Sequence, residues 1–432
     1  MNKLVKLTLL TTALLRCAPV MAGVISLNWA TVKEPVSYSP GEPITFRLQL
    51  MEDGKPVAGK TLKWVRQGDD KKTETGQQQS AADAPLEVVT SLATPGFVHL
   101  AVTVVNSDGT PLKGKFVNNK ESGSGYRLDE SSTSPVKFEG GVGVEPGKLT
   151  GDPDTADSDA FWNAQKARLA AAPMKVELKE IESPNPGYAA FDVQISCVGG
   201  KAVSGCLAVP KNAKEKSLPA VVSFNGYGVS PAHPQPVTGM ISLNINAHGI
   251  ENGRDPEFYR ALGLGELKGY AFSNPENEKP ETCYFNGMAL RVLRALEYIK
   301  SRPEWNGKTL LVRGGSQGGL QALWAAALDG DVTECSADMP WCCDLSGIQS
   351  GRLRGWRPDA AAGLAYYDPI HLARRIKCKV WLGAGLGDSV CPASGIAVLY
   401  NTLTAPKVID YIQGASHVRA TAEMQRQRLR SE

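Results

Sequence analysis

The sequence has little of several features that would place it in a common class of protein. Its 432 residues carry 47 Lys and Arg against 44 Asp and Glu, so neither sign of charge dominates. The absence of a basic stripe or an acidic tail argues against nucleic acid as a partner. No segment is long and apolar enough to predict a transmembrane helix. The nine cysteines include no C-x-x-C pair, which disfavours a zinc site.

The length of the chain and its first residues predict an exported protein with two domains. A chain of 432 residues is too long for one ordinary hydrophobic core. Residues 1–22 join a basic start to a short apolar run and end in small residues, which is the pattern of a cleaved secretory signal peptide. We therefore expect a secreted or periplasmic protein, in which disulfides would be permitted. A lipid anchor at Cys17 is the alternative, although Arg16 is unusual before a lipoprotein cysteine.

Residues 23–145 have the pattern of an all-β domain. Short alternating stretches predict five strands, over 24–32, 43–50, 60–67, 86–92 and 97–105. Stretches rich in Gly, Pro and Asp separate them and are typical of turns. Strands of this length and spacing favour an immunoglobulin-like β-sandwich, here without cysteines for a disulfide between the sheets.

A link rich in Gly, Pro and Asp, at 146–159, separates this domain from residues 160–432. In the second domain, apolar stretches predict strands over 190–197, 204–210, 219–226, 309–315, 378–385 and 407–412. Helical patterns cover 287–302 and 393–403 and also follow Ser316 directly. Alternation of this kind predicts an α/β fold with a mostly parallel sheet between helices.

Ser316 lies in the only G-x-S-x-G pattern of the chain, GGSQG at 314–318. The pattern stands between an apolar strand and a helix, which is the context of a nucleophile elbow, a sharp turn that exposes a serine hydroxyl. A flexible glycine turn is the alternative. In an elbow, the backbone N–H of Gln317 is directed at the start of the helix, where negative charge is stabilised. A second such donor is expected from the loop after an early strand, and the N–H of Tyr227 in FNGYG is the candidate.

A serine nucleophile needs a base, and the chain has five histidines. His417 lies in a loop directly after the last predicted strand, where the base lies when the chain order is Ser, acid, His. His248 is its strongest rival. Asp388 follows the strand at 378–385 and is the predicted acid, ahead of Asp368 and Asp359, because a carboxylate there would orient the imidazole.

These motifs together resemble the acetyl xylan esterase and cephalosporin C deacetylase family, carbohydrate esterase family 7. The resemblance covers roughly residues 155–425 and includes GYGVSP, RGGSQGG, GLGDSVCP and GASHV. It implies an α/β-hydrolase fold, a triad of Ser316, Asp388 and His417, and oxyanion donors at the backbone of Tyr227 and Gln317. Asn225 stands where the family commonly has His, which leaves the triad intact but puts the substrate preference in question.

We therefore expect a secreted serine esterase that removes acetyl or other short acyl groups from acetylated carbohydrates such as xylan. It would need no metal or organic cofactor. Two alternatives stay open. One is a serine peptidase of the prolyl-oligopeptidase type, and the other is a non-catalytic carbohydrate-binding protein with a degenerate hydrolase domain. The oligomeric state, the sugar and the role of the N-terminal domain are left open.

Overall fold

The structure is a computed structural model that describes residues 23–119, 123–417 and 426–430. The predicted signal peptide at 1–22 lies outside the described residues. The described chain forms two antiparallel sheets followed by one large mixed sheet with helices. Within it, no helix has the length and apolar character needed to cross a membrane. All eight cysteines from Cys197 to Cys391 are free thiols.

The strands of the N-terminal part pair antiparallel with their neighbours. In the described residues they are β1 (Val24–Thr31), β2 (Ile44–Glu52), β3 (Lys55–Pro56), β4 (Thr61–Gly68), β5 (Thr73–Gln79), β6 (Leu86–Thr90), β7 (Gly96–Val105), β8 (Gly114–Asn119), β9 (Gly123–Leu128) and β10 (Lys137–Val144). The first sheet has the order β3-β2-β1-β9-β8, with β6 also on β2, and the second has the order β10-β7-β4-β5.

One hydrophobic core lies between these two sheets. Every second residue of β2 from Ile44 to Leu50 is buried, and so is every second residue of β7 from Val98 to Val104. The two sets belong to the same cluster. The alternation therefore places the apolar face of each sheet against the other. The five predicted strands are confirmed, whereas β3, β5, β8, β9 and β10 were not predicted. Of these, β5 is polar (TETGQQQ) and β10 is rich in glycine (KFEGGVGV), so neither has the apolar alternation on which the prediction relied.

The C-terminal part contains one sheet and the helices that pack on it. Its strands in the described residues are β11 (Val176–Ile181), β12 (Tyr188–Ile195), β13 (Val203–Pro210), β14 (Leu218–Phe224), β15 (Ile241–Ile245), β16 (Trp305–Gly315), β17 (Glu334–Asp338), β18 (Lys379–Gly385), β19 (Lys407–Ile412) and β20 (Arg426–Arg430). Its helices are α1 (Ser158–Ala170), α2 (Pro256–Leu264), α3 (Asn274–Asn277), α4 (Tyr284–Ser301), α5 (Gln317–Leu328), α6 (Pro369–Leu372) and α7 (Ala393–Thr402).

The sheet is parallel in its centre and antiparallel at both edges. Its order is β11-β12-β13-β15-β14-β16-β17-β18-β19-β20, and the six strands from β15 to β19 in this order run parallel. Apolar residues of α4, α5 and α7 pack on the sheet in one cluster. The expected α/β sheet is therefore confirmed as a mixed sheet, in which β11, β15, β17 and β20 were not among the predicted strands.

The segment before α1 runs along the C-terminal part of the molecule. The side-chain amide of Asn401 donates to the carbonyls of Pro146 and Leu149, both at 2.8 Å. Further along, Arg375 forms an ion pair with Asp154 at 2.9 Å and another with Asp159, in the first turn of α1, at 2.7 Å. These bonds attach the segment to the helices that pack on the large sheet.

The burial of β15 generates a stability prediction. Leu243 is 0 % exposed and lies between Leu207 of β13 and Val222 of β14. We expect Leu243→Ala to lower the free energy of unfolding by roughly 2–5 kcal/mol, because it removes apolar contacts and leaves a cavity. Thermal melting and urea titration measure the change. Leu178→Ala on the edge strand β11, where the side chain is 45 % exposed, is the matched control. Equal melting temperatures for the two variants would contradict the packing.

Candidate active site

Ser316 lies at a sharp turn between β16 and α5. Its backbone has φ 54° and ψ −123°, a combination that residues other than glycine rarely adopt. A Cβ on Gly314 would lie 2.3 Å from the carbonyl carbon of Gly318, so that position admits no side chain. A Cβ on Gly318 would lie 2.3 Å from the carbonyl oxygen of Phe224. The predicted turn is therefore present, and its glycines are required by close backbone contacts on both sides of the serine.

Two hydrogen bonds join Ser316, His417 and Asp388 in a row. The His417 Nε2 atom lies 3.0 Å from the Ser316 Oγ, and its Nδ1 lies 2.9 Å from the Asp388 Oδ2. Because a carboxylate only accepts hydrogen bonds, Nδ1 carries the proton and Nε2 is free to accept the proton of the serine hydroxyl. The three residues predicted from the sequence therefore meet, although 101 positions separate the serine from the histidine.

The backbone of its own loop holds Asp388. Its Oδ1 accepts from the N–H groups of Val390 and Cys391, both at 2.8 Å. The Asp388 side chain is fully buried, whereas that of His417 is 30 % exposed. The carboxylate is thus shielded from water, and its second oxygen, Oδ2, is left to accept the hydrogen bond of the imidazole.

The surroundings of His417 favour its protonated form. The hydrogen bond to Asp388 is the main cause that raises the pKa of His417 above its usual value. Partial burial acts in the opposite direction, and the negative charges of Asp388 and Asp338 raise the pKa further. An imidazole in this setting is a stronger base than a free histidine and stabilises a positive charge that forms on it.

The two predicted oxyanion donors lie on segments that contact each other. Gln317 is the first residue of α5, and its side-chain amide lies 3.5 Å from the carbonyl of Gly226, next to Tyr227. Within residues 23–119 and 123–417, neither the backbone N–H of Tyr227 nor that of Gln317 has a protein acceptor. Both amides are therefore available to an oxygen placed at the start of the helix.

Tyr270 and His248 hold the loop that carries Tyr227. The Tyr270 hydroxyl donates to the side-chain oxygen of Gln317 at 2.8 Å and accepts from the N–H of Gly228 at 2.9 Å. The ring of Tyr270 stacks on Tyr227 with a centroid distance of 4.2 Å. His248 is 0 % exposed, and its Nε2 donates to the Gly228 carbonyl at 3.0 Å. The strongest rival of His417 is thus a buried histidine that fixes this loop, and burial lowers its pKa to about 4.

The rival acids have structural roles. Asp368 caps α6 through the N–H of Ile370 and also accepts from the N–H groups of Asp344 and Leu345. Asp359 forms an exposed ion pair with Arg354 at 2.6 Å. Neither carboxylate is bonded to His417, so Asp388 is the acid that the structure brings to the imidazole.

Cys391 is a neighbour of the row that the sequence analysis did not single out. Its thiol contacts Ser316, and donor atoms of Asp388, Cys391 and His417 lie within 4.8 Å of one another. Such a set could hold Zn²⁺. However, both ring nitrogens of His417 already take part in the row, and burial raises the pKa of the Cys391 thiol. A cation would have to break these bonds, so the set is described better as a hydrogen-bonded row.

An aromatic wall extends from Tyr227 to the protein surface. The ring of Trp356 lies 4.6 Å from that of Tyr227 and stacks on Trp341 at 5.6 Å, while its backbone N–H donates to the carbonyl of Val390. Trp356 is 44 % exposed. The signal in the sequence for this wall is a tryptophan within a segment rich in Arg, Gly and Pro, GRLRGWRPD at 351–359.

A cavity of about 670 Å³ lies beside the same loop. Gly228, Pro231, Tyr259 and Leu264 are among its lining residues, whereas no residue of the hydrogen-bonded row lines it. Its size alone therefore does not mark the candidate active site, which the row of three side chains identifies.

Comparison with known proteins agrees with this site. The family model of acetyl xylan esterases matches residues 150–353 and 353–430, more than half of the chain. The chain belongs to the acetyl xylan esterase family. This family of carboxylic ester hydrolases thus accounts for the C-terminal part, including the segments with Ser316, Asp388 and His417.

Individual relatives support the family assignment. The acetyl esterase Axe7A of Xylanibacter ruminicola is 29 % identical over 270 residues, which are 58 % of this chain and 61 % of the relative, so the match spans about three fifths of that relative's length. Two solved acetyl xylan esterases share the α/β-hydrolase fold. The enzyme of Paenibacillus sp. R4 is 23 % identical with a TM-score of 0.54, and that of Thermoanaerobacterium sp. JW/SL YS485 is 22 % identical with a TM-score of 0.55. Each comparison covers 64 % of this chain and 94 % of the solved one.

The bond between Asp388 and His417 generates a prediction about the imidazole in this family member. We expect Asp388→Asn to lower the pKa of His417, because the main cause of its raised value is the bond to the carboxylate. NMR titration of protein with ¹³C-labelled histidine measures it, and the five histidines keep the spectrum simple. Asp359→Asn, which removes an exposed carboxylate, is the control. An unchanged His417 midpoint in Asp388→Asn would contradict the geometry.

Proposed function

We propose that the chain is a serine esterase that removes acetyl groups from the hydroxyls of carbohydrates. The observation that carries the proposal is the hydrogen-bonded row of Ser316, His417 and Asp388 in a member of an esterase family. The buried Asp388 and the strained turn at Ser316 are features of a nucleophile prepared for acyl transfer.

The reaction begins with attack of the Ser316 Oγ on the ester carbonyl carbon. His417 accepts the serine proton at Nε2, and Asp388 stabilises the resulting imidazolium through Nδ1. When the tetrahedral intermediate collapses, the bond between carbonyl carbon and sugar oxygen breaks, and His417 returns its proton to the leaving sugar oxygen. Water then attacks the acetyl-enzyme with His417 again as base, so that acetate and free Ser316 are formed.

The oxyanion of the tetrahedral intermediate is bound by the backbone N–H groups of Gln317 and Tyr227. Each such donor contributes on the order of 3 kcal/mol to transition-state stabilisation. The bonds of Tyr270 to Gln317 and Gly228 hold the two donor segments together, so the donors are oriented before the substrate arrives. The raised pKa of His417 supports its role as the base in both half-reactions.

The exposed ring of Trp356 supports a sugar as the alcohol part of the substrate. Trp356 is partly exposed, its ring contacts that of Tyr227, and its backbone N–H donates to Val390 in the Asp388 loop. Flat apolar faces of sugar rings pack on aromatic side chains, whose area contributes binding free energy. The acetylated substrate would thus be held by its ring while the ester lies at Ser316.

The two alternatives are less consistent with the structure. A peptidase of the prolyl-oligopeptidase type carries a large propeller before its hydrolase domain, whereas the described residues within 24–144 form two packed sheets here. A degenerate, non-catalytic hydrolase would have lost part of the triad, whereas Ser316, Asp388 and His417 are all in hydrogen-bonding distance.

Two further proposals concern the whole chain, namely its domain organisation and its export. We propose that the N-terminal part is an immunoglobulin-like domain over 23–145, joined by a linker at 146–159 to the esterase domain at 160–432. We also propose export after cleavage of residues 1–22, because their pattern is that of a signal peptide. N-terminal sequencing of the secreted protein would test the cleavage.

Acetate release tests the proposed reaction. We expect hydrolysis of acetylated xylo-oligosaccharides and of p-nitrophenyl acetate, no cleavage of an aminoacyl-proline anilide, and labelling of Ser316 by a fluorophosphonate. Ser316→Ala should lower kcat by roughly 10⁶-fold, because the nucleophile is lost. Ser336→Ala, an exposed serine on β17, is the matched control. Full activity of Ser316→Ala, or preference for the anilide, would refute the assignment.

Removal of the Trp356 ring tests the sugar platform. We expect Trp356→Ala to raise the KM for acetylated xylo-oligosaccharides by roughly fivefold, since an aromatic contact contributes about 1 kcal/mol. The KM for ethyl acetate, which has no ring to stack, should change little. Trp356→Phe keeps an aromatic face and should restore much of the affinity. Equal changes for both esters would show that the residue shapes the site without contacting the sugar.

A further inference from the structure

A glycine-rich strand of the N-terminal part lies directly against the loop that carries Asp388. In β10, a Cβ on Gly141 would lie 2.3 Å from the carbonyl oxygen of Leu386. From the other side, a Cβ on Gly387 would lie 2.2 Å from the carbonyl oxygen of Glu139. The two backbones therefore touch without side chains between them, which explains why a glycine stands at 141.

Gln413 connects the same strand to the loop that carries His417. Its side-chain amide donates to the Gly141 carbonyl at 2.6 Å, and its side-chain oxygen accepts from the Gly141 N–H at 2.9 Å. The oxygen also accepts from the N–H of Gly414 at 3.1 Å. Gln413 is 1 % exposed and follows β19 directly, four positions before His417. Loss of its side chain would leave buried backbone groups of β10 without partners.

His99 of β7 makes the third contact. Its Nε2 lies 3.1 Å from the carbonyl oxygen of Gly387, the residue before Asp388. Because a carbonyl oxygen only accepts, Nε2 carries the proton and donates it. Burial is the main cause that lowers the pKa of His99, and its charged neighbours are Glu139, Asp388 and Lys137. His99 is thus a neutral donor to the acid loop rather than a base.

The two loops are also bonded to each other. The N–H of Leu386 donates to the carbonyl of Ile412 at 3.0 Å, and that of Gly387 donates to the carbonyl of Ala415 at 2.9 Å. A shift of either loop against β10 therefore moves both Asp388 and His417 relative to Ser316, which is held separately by the turn before α5.

We propose that the sheet β10-β7-β4-β5 positions the catalytic acid and base. The positioning residues are His99 of β7 and Gln413, which binds β10 from the loop after β19. This inference rests on the proposed function of Ser316, Asp388 and His417. It assigns to the N-terminal part a role in the chemical step that does not require contact with a sugar. Small displacements matter there, because a shift of about 1 Å in a catalytic group costs on the order of 10²-fold in rate.

Variants of the full chain test the positioning role. Gln413→Met keeps the volume but removes both bonds to Gly141, and His99→Ala removes the bond to Gly387. We expect kcat for p-nitrophenyl acetate to fall roughly 10- to 100-fold for each, with KM changed less than about twofold. The acid limb of the pH–rate profile should move to lower pH, because a weaker bond to Asp388 lowers the pKa of His417, which Asp338 also faces. His99→Gln, which keeps a donor, should restore part of kcat.

The control is Val104→Ala, which removes a buried side chain of β7 that faces the core between the two N-terminal sheets. It should lower the melting temperature but leave kcat and the pH profile near those of the parent. NMR titration of His417 in Gln413→Met reports on the same geometry and does not depend on activity. If the parent chain showed no esterase activity, the proposed function would be refuted, but the titration would still test the positioning role. Wild-type kcat and an unchanged His417 midpoint in folded Gln413→Met and His99→Ala would overturn it.

Discussion

The candidate active site depends on one close backbone crossing. The chain leaves β16, adopts a strained conformation at Ser316 and enters α5, while the carbonyl of Phe224 passes the helix start at Gly318. Any side chain at Gly314 or Gly318 would push these segments apart. The crossing sets the position of the Ser316 hydroxyl and brings the Tyr227 loop to the N–H of Gln317. The proposed acid, base and oxyanion donors can act only if they are placed correctly relative to the Ser316 hydroxyl.

Parallel strand order explains why distant residues converge there. Ser316 follows β16, Asp388 lies three residues after β18, and His417 lies five residues after β19. Because parallel strands end at the same edge of a sheet, loops that follow them share one rim. β17 separates β16 from β18, so the loops of Asp388 and His417 must reach across it. Hydrogen bonds between the two loops, together with their contacts to β10, keep both loops in this extended position.

Burial assigns different chemistry to histidines of the same chain. His248 and His99 are enclosed, and burial lowers their pKa, so each is a neutral donor to a backbone carbonyl. His417 is half-buried beside a fully buried carboxylate, and that bond raises its pKa. The opposite pKa shifts thus reflect both burial and the hydrogen-bond partner of each imidazole, which is a backbone carbonyl for His248 and His99 and a carboxylate for His417. A carbonyl fixes a loop, whereas a carboxylate stabilises a proton that arrives during a reaction.

Local sequence patterns were sufficient to predict several elements of this protein. The strand–turn–helix at Ser316, the alternation of strands and helices, and the placement of Asp388 and His417 after strands could all be read from neighbouring residues. The hydrogen bonds of His99 to Gly387 and of Gln413 to Gly141 could be seen only in the folded chain, because 288 and 272 positions separate the partners. The tertiary structure likewise decided that β10 is a strand at all. Its glycines lack β propensity, and at Gly141 close contact with the backbone of Leu386 leaves no room for a side chain.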